Sequence, residues 1–134
     1  IMKRYNFPLA DRYVPESTVM WNISALYQTL FFNESLRIYT KPQRENGNLS
    51  FLNSFKYSKG FRFKFLELLN NHYNKINMRP YILLNFTYNY TLYSCASKTS
   101  AIEMVADLDR YLIKVLSLLC LPLAYIAWNI KKTF

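Results

Sequence analysis

The run Leu112–Ile130, LIKVLSLLCLPLAYIAWNI, carries a single charge, Lys114, near its start. Arg110 precedes it, and Lys131 and Lys132 follow. As a helix rising ~1.5 Å per residue it covers about 28 Å, close to the hydrocarbon core of a bilayer. The pattern predicts one transmembrane span over 112–130, and the rest of the chain is read around it. Tyr111 and Trp128 stand near its two ends, where amphipathic rings favour the headgroup region. Lys114 lies one turn inside, within reach of the interface on its four-carbon stem. Pro122 takes the helical donor away from the Leu118 carbonyl and kinks the segment, which membrane helices tolerate when neighbours re-satisfy the backbone. The competing reading is a long core helix of a soluble domain, because Val115–Ile130 falls short of the ~20 uncharged residues of an ordinary span. The flanking charges do not orient the span.

The helix is expected to start well before the membrane. Ser100 and Glu103 match a capping box. Ile102, Val105, Leu108, Leu112 and Val115 then recur at helical spacing, which predicts one helix from about 101 to 131.

The chain has 134 residues and a net charge of +9. Its 12 Tyr, 10 Phe, 13 Asn and 10 Lys stand against only 2 Gly. The four abundant types have AT-rich codons, so Lys–aromatic and Asn-based motifs are discounted for base composition. So few glycines exclude a phosphate-cradling Gly loop and leave little room for turns at positive φ. The opening IMKRYNFPLADRYVP is neither a signal peptide nor an amphipathic transit helix, and Ile1 is expected to reflect trimming, an incomplete start or a non-standard initiation codon. This bias, the first residue and the short apolar anchor resemble mitochondrially encoded proteins of ciliates. The resemblance is one of composition over the whole chain, and no motif carries it. It implies a subunit of a respiratory-chain complex or of the mitochondrial ribosome, and it transfers no functional residue.

The body reads as α+β. Residues 1–15 are expected to form an extended arm with Pro8 and Pro15. Residues 16–100 are expected to form a small body, and 101–134 the long helix. Met20, Ile23, Leu26, Tyr27, Leu30 and Phe31 predict a helix to about Asn33. Trp21 and Phe32 make it apolar nearly all round, so Trp21, Ile23, Leu26, Leu30 and Phe31 are candidate contacts to other subunits. Leu36–Thr40 suggests a short strand, and KPQRENGNLS at 41–50 a loop. In Phe55–Phe65, aromatic residues alternate with Lys56, Arg62 and Lys64, and Lys59-Gly60 reads as a hairpin turn. Leu66–Lys75 reads as helix. Tyr81–Tyr93, YILLNFTYNYTLY, has period-two character, with Ile82, Leu84, Phe86, Tyr88, Tyr90 and Leu92 on one face. It predicts the strongest strand of the chain.

Lys56, Arg62 and Lys64 with Phe61 and Phe63 could neutralise phosphates and stack on unpaired bases. The bland alternative is an amphipathic hairpin whose basic face meets water or anionic headgroups. Five N-x-S/T sequons, at Asn22, Asn33, Asn48, Asn85 and Asn89, and the terminal Lys131-Lys132-Thr133-Phe134 permit an endoplasmic-reticulum glycoprotein. Asn85 and Asn89, four residues apart on one strand, would be poor acceptors. His72, the sole histidine, is read as a solvated residue, and Cys95 and Cys120 form neither a zinc pattern nor a disulfide. Asp107 and Asp109 are read as interfacial charges beside the span. No catalytic residue, metal ligand or cofactor site is expected. The favoured expectation is a non-catalytic accessory subunit of a mitochondrial inner-membrane respiratory complex, with a slight preference for complex I. Its partners are protein subunits and lipid. The alternatives are a mitochondrial ribosomal protein binding rRNA through 55–65 and an endoplasmic-reticulum membrane subunit.

Overall fold

The computed structural model describes residues 15, 17–26 and 55–133. They form helices α1 (Ser17–Leu26), α2 (Ser58–Asn71), α3 (Tyr73–Asn77), α4 (Pro80–Ala96), α5 (Ala101–Ala106) and α6 (Tyr111–Thr133). No strand occurs among the described residues, so the α+β expectation is overturned. The arm 1–14, the continuation of the first helix over 27–33, the strand Leu36–Thr40 and the loop 41–50 lie outside the described residues.

Two segments read as β are helices. Tyr81–Tyr93 lies within α4, which starts with Pro80 in the first helical turn, where its missing N–H costs nothing. Leu83, Thr87, Tyr90, Thr91 and Ser94 of α4 are buried at helical intervals, and Leu92 and Tyr93 are buried with them. Thr87 and Thr91, assigned by alternation to a polar outer face, are fully buried. Their hydroxyls donate to the carbonyls one turn back, Thr87 to Leu83 at 2.8 Å and Thr91 to Thr87 at 2.9 Å. Ser94 does the same to Tyr90 at 2.8 Å. A hydroxyl so satisfied is buried without an unpaired polar group, and the side chain counts as a small residue in the core. Phe55–Phe65 is likewise no hairpin: a turn at 55–57 leads into α2, and Gly60 is buried inside that helix.

The helix expected over 101–131 breaks at 107–110. The capping box that starts α5 is present, with Ser100 Oγ accepting from Glu103 N–H and the Glu103 carboxylate accepting from Ser100 N–H. The break is held by Asn70 of α2. Its Nδ2 donates to the Asp107 carbonyl at 2.9 Å, and its Oδ1 accepts the Asp109 N–H at 3.2 Å. One amide side chain thus replaces two helical backbone bonds. Asp107 pairs with Arg62, and Leu108 is buried at the bend. α4 itself ends in a Schellman motif: Thr99 N–H reaches Ser94 O at 3.0 Å and Lys98 N–H reaches Cys95 O at 3.1 Å. Lys98 sits there at φ 59°, a place usually taken by glycine, in a chain with only 2 of them.

α4 is the central element. α2 runs antiparallel to it, Phe61 meeting Tyr93 and Phe65 meeting Phe86. α6 runs parallel to it. The Arg110 guanidinium, at the start of α6, lies over the Tyr73 ring before α4, and Tyr125 and Trp128 share a groove with Cys95 and Lys98 at the far end. The core holds Phe65, Leu68, Leu69, Leu83, Tyr90, Tyr93, Met104, Leu108 and Ile113. Tyr90 is completely buried, with its hydroxyl donating to the Met104 carbonyl at 3.0 Å.

α1 docks at the α2–α3 junction through His72, which is buried. His72 Nε2 lies 3.1 Å from Asn22 Oδ1, and the Trp21 ring is 5.8 Å from the imidazole. The solvated His72 of the sequence reading is therefore corrected: the α2–α3 bend turns it inward. Burial, aided by nearby Lys75 and opposed by Glu67, lowers its pKa from the usual 6.5. The folded chain thus favours neutral imidazole more than the unfolded chain does. The stability from this contact is full above pH ~6.5 and is lost as pH falls from there through the depressed folded value. A His72 pKa above 6.5, read from the pH titration of its imidazole proton shifts, would contradict this. The expected result is a depressed pKa together with a Trp21 emission change only on the acid side.

Candidate functional site

The feature with functional content is α6. Its stretch Tyr111–Ile130 is long and apolar enough to cross a membrane, the one such helix among the described residues, with 22% of its most apolar part buried within the chain. A core helix of a soluble domain would be mostly buried.

α6 has two apolar faces of different character. Ile113, Ser117, Cys120 and Ala124 point into the protein toward α4 and are buried. α4, which packs on α6, also buries the small, back-bonded Thr87, Thr91 and Ser94. Small residues on both helices let backbones approach, the mode of packing found between membrane helices. Ser117 Oγ is satisfied within its own helix by the Lys114 carbonyl at 2.8 Å. The second face is unpartnered and made of large aliphatics. Leu112, Leu119, Leu123, Ile126 and Ile130 are all about half exposed or more.

The expected anchor residues fall as follows. Tyr111 is 81% exposed at the start of α6, and Leu112 is exposed beside it. Lys114 is half-buried, and Pro122 is exposed inside a continuous helix. Trp128 is half-buried, with its ring 5.4 Å from Phe55. It therefore also ties α6 to the turn before α2.

The basic–aromatic cluster is dispersed by the helix. Arg62 is turned inward, bonding Asp107 and lying 5.7 Å over the Tyr90 ring. Lys64 is half-buried, its amine 5.4 Å over the Phe65 ring, and burial lowers its pKa. Phe61 stacks on Tyr93 at 5.1 Å, and Phe63 is half-buried. Lys56 is exposed. The alternating face proposed for RNA is not formed, since alternation presents one face only in a strand.

Among the subunit-contact candidates, Trp21 and Ile23 are half-buried, and Trp21 packs against the chain's own core. Leu30 and Phe31 lie outside the described residues, as does the Leu26 side chain. Among the described residues no three His, Cys, Asp or Glu side chains could hold a metal ion together. Cys95 and Cys120 are free thiols, and burial pushes the Cys95 thiol up, away from the thiolate that nucleophilic chemistry needs. Of the sequons, Asn85-Phe86-Thr87 and Asn89-Tyr90-Thr91 lie on α4 with both threonines buried and bonded.

Sequence reasoning missed Asn70, His72 and the small faces of α4 and α6. The small faces were accessible: Thr87, Thr91 and Ser94, like Ser117, Cys120 and Ala124, recur every three or four residues. Asn70 carried no signal, since its role depends on a bend that is 37 residues away.

The comparisons with known proteins do not extend this picture. No protein-family model matches the chain, and neither a curated protein nor a solved structure matches it.

Proposed function

We propose that this chain is a non-catalytic structural subunit of a membrane complex, held in the bilayer by α6 and working by packing. The observation that carries the reading is the large unpartnered Leu/Ile face on a helix of membrane-spanning length. The packing of α6 on α4, with small residues buried on both helices, supports it.

The parallel course of α4 and α6 adds the multi-subunit part. The chain must return from the end of α4 to the start of α6 through 97–110, which carries Lys98, Glu103, Asp107, Asp109 and Arg110. With α6 in a bilayer, that return lies beside it. Irregular, charged backbone at membrane depth persists only where protein or a wet cavity covers it. Neighbouring subunits supply that cover. The compositional resemblance to ciliate mitochondrial gene products points to the mitochondrial inner membrane and a respiratory-chain complex, with complex I preferred. The ribosomal alternative loses its proposed RNA face, since Arg62 and Phe61 are engaged internally.

Carbonate extraction of mitochondrial membranes tests the anchor. The chain is expected in the pellet, and in mild detergent it is expected to migrate with a respiratory complex. Quantitative release to the supernatant, or migration with ribosomal subunits, rejects the proposal.

A further inference from the structure

The antiparallel run of α2 and the parallel run of α6 beside α4 bring three helix termini to one end of the body. These are the start of α2 and the ends of α4 and α6, and lysines collect at all three. Lys56 precedes α2 and Lys59 lies in its first turn, both exposed. Lys98 is exposed just past the end of α4, and Lys131 and Lys132 fall in the last turn of α6. Phe55, beside Lys56, places its ring 5.4 Å from that of Trp128, and Trp128 and Lys98 line one groove. Of the acidic residues described, Glu103 comes nearest this end, its carboxylate accepting from Ser100 N–H. Glu67 accepts from Asn71, and Asp107 and Asp109 are held by Asn70, all at the opposite end of α2.

Helix dipoles account for only part of this collection. Cations at the ends of α4 and α6 complement the carbonyl termini there. Lys56 and Lys59 stand at the start of α2, where the dipole favours an anion and the first turn carries no acidic residue. An external anion would offset that repulsion.

The groove beside these lysines is open and holds about 650 Å³. Its lining is graded along α6. Leu121 and Pro122 lie about two helical turns deeper than Asn129, with Cys95 of α4 on the facing wall. Tyr125 and Trp128 come next, and Lys98, Thr99 and Asn129 line the mouth. With α6 in a bilayer, Trp128 stands at headgroup level and the apolar part of the groove runs into the hydrocarbon. A cationic mouth above an apolar floor, in that order along the span, matches a phospholipid with an anionic headgroup. A nucleic acid or an acidic peptide supplies the charge but no acyl chain for the floor.

We propose that this groove binds one anionic phospholipid, its phosphate at Lys98 and an acyl chain along Leu121 and Pro122. The other four lysines supply the attracting field. The proposal rests on α6 spanning the bilayer, and it names a lipid partner for that anchor.

The test uses the full chain in phosphatidylcholine vesicles, with spin-labelled phosphatidylglycerol and spin-labelled phosphatidylcholine as probes. The motionally restricted signal is expected to favour phosphatidylglycerol by more than about fivefold, saturating at one lipid per chain. Lys98→Asn keeps a residue that accepts positive φ and is expected to lower this preference about fivefold. Lys98→Arg is expected to retain it. Lys75→Gln, at the opposite end, is expected to leave it within about twofold, because charges beyond a Debye length are screened. Circular dichroism reports the helix of each variant. Where Lys98→Asn unfolds, the exposed pair Lys56→Gln/Lys59→Gln carries the test, with a similar loss expected. Equal restriction of the two lipids by a carbonate-resistant chain overturns the site and leaves the anchor standing. A preference weakened equally by Lys75→Gln and Lys98→Asn marks diffuse attraction and also overturns the site. Loss of the preference to added single-stranded RNA that the chain retains reassigns the lysines to nucleic acid and overturns it. A chain that carbonate strips from the vesicles overturns the anchor and the site together.

Discussion

Tyr93→Ala is expected to destabilise the helical body by about 3–5 kcal/mol, the range for large aromatic truncations in cores. Tyr93 is 6% exposed and holds α2 to α4 through three rings. Phe61 stacks on it at 5.1 Å with planes 22° apart, Phe65 at 5.9 Å and 11°, and Phe55 at 5.6 Å and 35°. Such pairs each contribute about 0.5–1.5 kcal/mol beyond their buried area. Phe55 also touches Trp128, so the loss is expected to loosen the end of α6. Urea unfolding of the full chain in mild detergent is the measurement, followed by Trp fluorescence. Tyr93→Phe keeps the ring and is expected to stay within about 1.5 kcal/mol of the parent. An alanine variant equal to the parent would show that this aromatic cluster does not hold α2 in place.

Leu119→Arg is expected to shift the chain from membrane to soluble fraction by about 100-fold. Leu119 lies near the middle of the Tyr111–Ile130 stretch and is 67% exposed. An arginine at the centre of a span costs about 2.5–3.5 kcal/mol on insertion scales. On a water-facing helix the same substitution changes stability by less than about 0.5 kcal/mol, because an exposed leucine has no packing to lose. The two environments are thus separated by more than an order of magnitude in partition. Carbonate extraction in parallel with thermal unfolding reads both. Unchanged extraction together with unchanged unfolding would place this face in water and remove the anchor.

The contrast between α5 and α4 shows what local pattern can carry. Ser100 and Glu103 are three residues apart, and their reciprocal bonds form within one turn, so the start of α5 was readable directly. The α4 helix was misread because alternation and helical spacing coexist in YILLNFTYNYTLY. Tyrosine and threonine suit either pattern, since each is polar at one end and packs well along the rest. The deciding local signal is Pro80 as a helix start followed by a run without Gly or Pro to Ala96, far longer than a strand. The basic cluster failed for the same reason: Lys56, Arg62 and Lys64 share a face only on a strand, and on α2 Arg62 finds Asp107 instead.

By itself the sequence determined the apolar character of the stretch that becomes α6, the start of α5 and the helical state of Ser17–Leu26. These depend on residues within a few turns of one another, where helix geometry alone sets the neighbours. Tertiary structure decided the rest. The break at 107–110 exists because Asn70, distant in sequence, offers a donor and an acceptor that compensate two lost helical bonds. The burial of His72 follows from the angle between α2 and α3, which brings Asn22 and Trp21 onto it. The division of α6 into a small face and an aliphatic face was written in its residues. Which of the two packs inward was decided by the docking of α6 on α4, which buries Ile113, Ser117, Cys120 and Ala124 and leaves the aliphatic face exposed.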